Sequence, residues 1–445
     1  MSLIHRSRFL LVLVRELSLK YKRALIFGLF LGCVVVLGIG RLTPWVRTNF
    51  FQPIKRIGIV GEFTPINLPL ALQQKISFGL TNLNADGSVL QGLAESWEAT
   101  DSGKIFIFHL ATDQTWHNGK SVTAEDVNYN IRNVRFTVLS KYLIRAELDN
   151  PYAHFPELVS KPLFQAGLRG FGPYRVAGLQ LKGDKIQFLK LVPLDRKQMI
   201  YEYRFYRTEG AAITAYKLGE IDDLEEITEP QDLAKWRQTN LKTFVKYNRM
   251  VTLFFNLNNT YLKEKSLRQA LAYALPKIDE VRAFSPISQD SWAYFDKVRH
   301  YDPDLVAADK LLKSSKIEPG SLKITISTFT PYFDLAQKIA GAWTGFGIKT
   351  EVKLENSLPA DYQVLLSAQD LPPDPDQYAF WHSTQTHTNI TGYSNVKIDK
   401  LLEDGRKELD LEQRKKIYQD FQRRLVEDVP AIFLYYPKVY TLERK

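Results

Sequence analysis

One cysteine in 445 residues, Cys33, leaves the chain without an internal disulfide and confines thiol chemistry to a single position. Stability must therefore come from packed cores. The signatures of common enzyme classes are also missing: there is no phosphate-binding Walker loop, and Gly170-Phe171-Gly172-Pro173 has the wrong spacing for a dinucleotide fingerprint, with a proline where a helix should open. Neither a Gly-x-Ser-x-Gly elbow nor a His-Glu-x-x-His zinc helix occurs. The seven histidines are scattered, and His382 and His387 lie five apart, a poor spacing for one helix face, so neither a metal nor a cofactor is expected. Adjacent carboxylates do occur, at Asp222-Asp223, at Glu225-Glu226 and in the group Asp370, Asp374 and Asp376. Charge runs of this kind are ordinarily solvated faces, and no enzyme activity is expected from them.

A net charge of +10 suggests a nucleic-acid partner until its location is counted. Residues 1–56 hold ten basic side chains and one acid, Glu16. Taking these from totals of 59 and 49 leaves 49 basic and 48 acidic residues over the rest of the chain, which is close to neutral. Such a body offers no field for tracking phosphates, so nucleic acid is excluded as a partner.

Between Arg23 and Arg41 runs ALIFGLFLGCVVVLGIG, which as a helix would span about 25 Å, just enough for a bilayer core. Pro44 and Trp45 follow where a membrane helix would leave the bilayer. Six basic residues precede the segment and only Arg41 and Arg47 follow closely, so the positive-inside bias predicts a cytoplasmic N-terminus, a single-pass anchor over 24–41 and an extracytoplasmic body. A cleavable signal peptide has the same charge order and stays open as an alternative, although its apolar region is usually shorter. Lipidation at Cys33 fits poorly, because apolar residues continue for seven positions beyond it.

The remaining chain has no internal repeat and alternates short strand patterns with longer helical ones. Strands are predicted over 55–60, 104–110, 199–205, 251–256 and 322–327, the second of them opening after the turn Asp101-Ser102-Gly103. Helices are predicted from Thr123, which precedes Glu125 and Asp126, and over 266–275, 333–344 and 411–426. The fold class is α/β or α+β with mixed sheets. One stretch, DLPPDPDQYAFWH from Asp370 to His382, concentrates acids and aromatic rings. Its three prolines predict a rigid, non-helical loop that would hold those groups in fixed directions at little ordering cost and would suit a cationic ligand group; ordinary turns have the same composition.

Along the chain stand LAESWEATDSGKIFIFHL (93–110), WHNGKSVTAEDV (116–127), FGPYRV (171–176), YKLGEID (216–222), FFNLNN with LRQALAYAL (254–275), YDPDLVAADKLL (301–312), DPDQY (374–378) and VPAIFLYY (429–436). Together, and in this order, these segments resemble the landmarks of family 5 extracellular solute-binding proteins, the dipeptide and oligopeptide receptors of ABC importers.

The resemblance implies a bilobed periplasmic-binding-protein-like fold, type II, of the large peptide-binding subclass, with a small inserted domain. Applied to this chain, it gives a cytoplasmic segment 1–23, the anchor, a linker 42–56, a first lobe from 57–78, 171–248 and 430–445, a small domain 79–170 and a second lobe 249–429. Trp97 and Trp116 would pack the small domain, Gly103 and Gly119 would serve turns, and hinges would lie near 246–250. The implied ligand is a peptide or another small solute, delivered to an ABC permease driven by a separate ATPase subunit. The implied ligand-binding residues are Asp370, Asp374, Asp376, Tyr378, Trp381 and Asn256. Peptide-binding relatives carry an amine-pairing Asp four residues before the proline of the Asp-Pro step; here Leu371 stands there and Asp370 one residue earlier, and Ala368 replaces the usual Trp. These departures leave open a solute without a free amine, such as a sugar, a nickel chelate or an opine-like compound. A non-transport role on the same fold, as sensor, envelope chaperone or scaffold, also stays open.

Overall fold

The computed structural model of the chain describes residues 21, 22, 52–318, 320 and 322–445. The apolar segment 24–41, and with it the expected anchor, lies outside the described residues. Among the described residues no helix is long and apolar enough to cross a membrane.

Two large sheets organise the molecule. The first has seven strands in the order Thr239–Val245, Lys438–Arg444, Asp223–Ile227, Ile54–Val60, Ile200–Tyr206, Lys185–Pro193 and Tyr174–Lys182. Ile54–Val60 runs parallel to both of its neighbours, so the opening strand sits inside the sheet rather than at its edge. The second sheet has six strands, in the order Val281–Arg282, Ala431–Tyr436, Arg249–Phe255, Val364–Asp370, Lys323–Thr328 and Lys349–Leu354. Six of the seven residues of Arg249–Phe255 are buried, the near-continuous apolar run required of a strand covered on both faces. Ala431–Tyr436, expected in the first lobe, pairs with Arg249–Phe255 in the second sheet, and only from Lys438 does the chain enter the first. Its residues are nearly all buried, a pattern that fits either sheet equally well, so pairing alone assigns it.

The chain passes directly between the two sheets at two adjacent places, 246–248 and 437. The Lys246 N–H donates to the Pro437 carbonyl at 2.9 Å, tying the crossings together. With so few residues shared, the two sheets pack separate cores: one around Ile57, Leu189, Leu191 and Tyr203, the other around Leu253, Phe255, Trp343 and Phe421. Trp343 is completely buried and its indole N–H donates to the Leu271 carbonyl at 3.0 Å, which relieves the cost of burying that group.

Another core belongs to the four-stranded sheet Ala94–Thr100, Ile105–Leu110, Leu143–Leu148 and Val134–Ser140. Phe106, Phe108 and Phe155 cluster there, and Trp116 meets Phe171 edge to face at 5.2 Å. Trp97 packs against Phe108. The unit joins the first sheet through a close backbone approach. A Cβ on Gly172 would lie 2.7 Å from the carbonyl carbon of Ile76, and one on Gly170 would strike the Ile76 carbonyl oxygen, so only glycine fits at either position.

Two local expectations need correction. Thr123 does cap a turn, with the reciprocal capping box to Asp126, but the helix is only the single 3-10 turn Ala124–Asp126. Tyr129, whose hydroxyl donates to the Val159 carbonyl at 2.7 Å, draws the following chain into the small core instead. The loop 370–382 is not wholly non-helical, because Tyr378–Trp381 forms one helical turn after the last of its prolines.

Candidate functional site: the interlobe cleft

A cleft of about 860 Å³ lies over the two crossings. One wall carries Leu70, Ala71 and Gln74 from the helix Leu70–Ile76, together with Glu225, Glu226 and Thr441 from the first sheet. The other carries Ser288, Asp290, Ser291 and Leu371 to Pro373; Phe244 to Asn248 and Val439 form the floor, and the loop Leu83 to Asp86 closes one end. This volume is in the range of small-molecule and short-peptide sites.

Its charge is one-sided. Asp86, Glu225, Glu226 and Asp290 line the cleft with one base, Lys246, and that base is already bound to Glu226 at 2.5 Å. The local backbone explains how adjacent acids both reach the opening. Strand Asp223–Ile227 breaks register against Lys438–Arg444 between Leu224 and Ile227, and Glu226 adopts a left-handed φ of 56°. A bulge of this sort re-aims side chains that strict alternation would send to opposite faces. Partial burial and the charges of Asp223 and Glu226 push the Glu225 carboxyl above its ordinary range, and burial does the same to Asp290. Each of these carboxyls is therefore costlier to ionise here than in water, and a cation beside them would offset that cost.

None of the six residues expected to bind ligand lines this cleft. Asp370 comes nearest: it ends strand Val364–Asp370, is largely exposed, and pairs with Arg249 at 3.7 Å beside Leu371, which does line the cleft. Asn256 turns away, its amide donating to the Tyr362 carbonyl at 2.8 Å. Trp381 is buried in the second core, and its indole N–H donates to Gln377 at 3.3 Å. Asp376 accepts from Arg406 at 2.8 Å, and the same guanidinium lies 4.0 Å from the centre of the Tyr378 ring. Asp374 is buried and accepts two bonds from Arg414, at 2.5 and 2.7 Å, and one contact from His154 at 2.7 Å. The acids of the Asp-Pro-Asp step thus serve contacts inside the protein. Glu225-Glu226 was visible as a carboxylate pair, but only the bulge gives it a direction; Asp86 and Asp290 carry no local signal at all.

Among the described residues, His154, Glu157 and Asp374 bring ligating atoms within 4.8 Å of one another, as a metal site would. Arg414 abuts the His154 ring and holds both Asp374 oxygens, so a guanidinium already fills the cationic position. A metal ion there would face that charge without screening.

Two separately packed sheets, joined by two short crossings and flanking a solute-sized cleft, define a bilobed solute-binding protein. Residues 88–390 match the bacterial extracellular solute-binding proteins, family 5 Middle, and the chain belongs to that family. It is 22% identical to the dipeptide-binding protein of Escherichia coli (strain K12) over 443 aligned residues, covering 80% of this chain and 82% of that protein. The structure of NikZ from Campylobacter jejuni in complex with Ni(L-His) superposes with a TM-score of 0.71 at 22% identity, over 88% of this chain and 94% of the other. DppA from Helicobacter pylori in complex with the peptide STSA gives 0.66 at 18% identity, over 88% and 94%. These two structural likenesses speak for the fold. Members of the family are extracytoplasmic solute-binding proteins rather than enzymes, and they work with ABC importers.

Proposed function

We propose that this protein is a membrane-anchored extracytoplasmic receptor that binds peptide in the interlobe cleft and delivers it to an ABC permease. The observation that carries the peptide reading is the excess of carboxylates in the cleft, with its single base already paired. A peptide's α-ammonium supplies the missing cation, and Glu225 and Asp290, which line the cleft, are the groups to receive it. Enclosure between lobes joined at 246–248 and 437 removes the solute from water and strengthens each of these contacts. The segment 24–41 holds the N-terminus on the cytoplasmic side, and ATP hydrolysis belongs to another chain.

The test compares free and N-acetylated versions of the same di- and tripeptide mixture, read by tryptophan fluorescence of the purified chain. Free peptides should bind and acetylated ones should lose affinity about 10- to 100-fold, the loss expected for one charge-assisted contact. Equal binding of the two sets would remove the ammonium from the argument. Binding of nickel with histidine, and of neither peptide set, would move the protein to the chelate-binding branch that the NikZ likeness represents.

A further inference from the structure

The small domain meets the first lobe at the Gly170 and Gly172 backbone, yet it also touches the second lobe, and that contact is unlike the cleft beside it. His154 caps and Glu157 lies in the short helix Phe155–Leu158, while Asp374 follows the second-lobe strand Val364–Asp370 and Arg414 lies in the helix Leu411–Asp428. The His154 ring is buried and meets Asp374 at 2.7 Å. Glu157 accepts from the Asp374 backbone N–H at 3.3 Å. One residue before His154, the Ala153 N–H donates to the Arg406 carbonyl at 2.7 Å, and the Arg406 guanidinium lies 5.3 Å from the centre of the Tyr152 ring. Tyr418 and Trp292 cover the cluster from the second-lobe side. His154 and Glu157 find their buried polar partners on the second-lobe face, so separating the two sides removes those contacts together.

We propose that this cluster is a latch: the small domain closes onto the second lobe through His154 and Glu157 against Asp374 and Arg414, and holding that contact keeps the interlobe cleft closed. The proposal rests on the solute-receptor reading for its consequence, while its geometry is independent of which solute binds. The crossings at 246–248 and 437 join the first lobe to the second, whereas the latch joins the small domain to the second; Asp374 directly follows Pro373 of the cleft wall, so one chain segment links latch and cleft. Its lobe-side partners, Asp374 and Arg414, remain paired with each other when the latch opens, which leaves the second lobe intact and the contact reversible.

The test uses the full chain in detergent with Cys33→Ser, Lys120→Cys and Lys397→Cys, spin-labelled to report the distance between the small domain and the second lobe without added solute. The parent should give one short distance. Adding His154→Ala with Glu157→Ala should produce a second, longer distance, with the closed-to-open ratio falling about 100-fold for two lost contacts of this type. A folded double variant with the parental distribution overturns the proposal. Hydrogen exchange at the Ala153 amide of the native chain gives an answer that does not depend on any variant folding: strong protection supports the latch, and exchange at the rate of an exposed amide overturns it. Peptide failing to bind while the distance shifts as described would sink the peptide reading and leave the latch standing.

Discussion

The interlobe cleft and the junction between small domain and second lobe are both interfaces between lobes, and both are rich in carboxylates. In the cleft, Glu225, Asp290 and Asp86 face open volume, and the only lining base is already taken. At the junction, Asp374, Arg414 and His154 are buried and mutually bonded. Charge left without a partner around a cavity marks a place where something else is meant to bind; charge matched inside a dry contact marks a place where the protein binds itself. Sequence proximity misleads here, since Asp370 and Asp374 are four residues apart, yet the first is exposed beside Arg249 and the second is buried against Arg414.

The largest effect separating the two regions should come from the junction. Arg414→Ala leaves Asp374 buried without its cation, and removal of one partner from a buried pair costs about 3–5 kcal/mol; denaturant unfolding should show it, and a loss under about 1 kcal/mol would mean that the contact is solvated. In the cleft the pattern inverts. Glu225→Gln should weaken binding of a free-amine peptide about 10-fold or more while the melting temperature stays level or rises slightly, because it removes a carboxyl that its neighbours disfavour. A drop in both would place Glu225 with the structural acids.

Acidity offers a finer comparison. Burial, with Asp374 beside it, pushes the Glu157 carboxyl up to about 9. Burial raises Asp374 as well, and Arg414 is pushed down to about 10 by the same dry surroundings. The other charged or titratable groups facing the cluster are His154, Asp376, Arg406, Tyr152 and Tyr418. Two carboxyl groups in one dry site cannot both ionise freely, so Glu157 holds a proton at neutral pH while Asp374 answers Arg414. Separated and hydrated, Glu157 returns toward the ordinary 4.5. The docked form therefore binds a proton more tightly, its contribution is complete below about 4.5, and it is lost as pH rises through about 9. The interlabel distance should lengthen between pH 7 and 9.5 in the labelled parent and not in the labelled chain with Glu157→Gln. The smallest effect belongs to Asp370→Asn, whose exposed pair with Arg249 is worth about 0–1 kcal/mol. A large loss of peptide binding from the same substitution, with stability unchanged, would assign Asp370 to the solute.

Much of the architecture was legible. The strand pattern read at 104–110 appears as Ile105–Leu110, and the helix read at 411–426 as Leu411–Asp428, because two-residue and 3.6-residue periodicities report which face an element buries. The short helix after Thr123 was overstated because its first turn carries every local start signal, whereas the pull of Tyr129 toward a distant core carries none. Among candidate site residues, the stretch 370–382 stood out through its prolines and acids, yet composition says nothing about whether an acid faces solvent, solute or an arginine forty positions away.

The amino-acid order alone determined the family, through motifs spread along its length, and the elements of each lobe, through local periodicity. Which carboxylates meet a guest and which meet the protein was decided only when the chain crossed between lobes and brought residues 154, 374 and 414 together. Periodicity encodes a residue's orientation within its own element; the partner it finds depends on how remote elements pack, and that is a property of the whole fold.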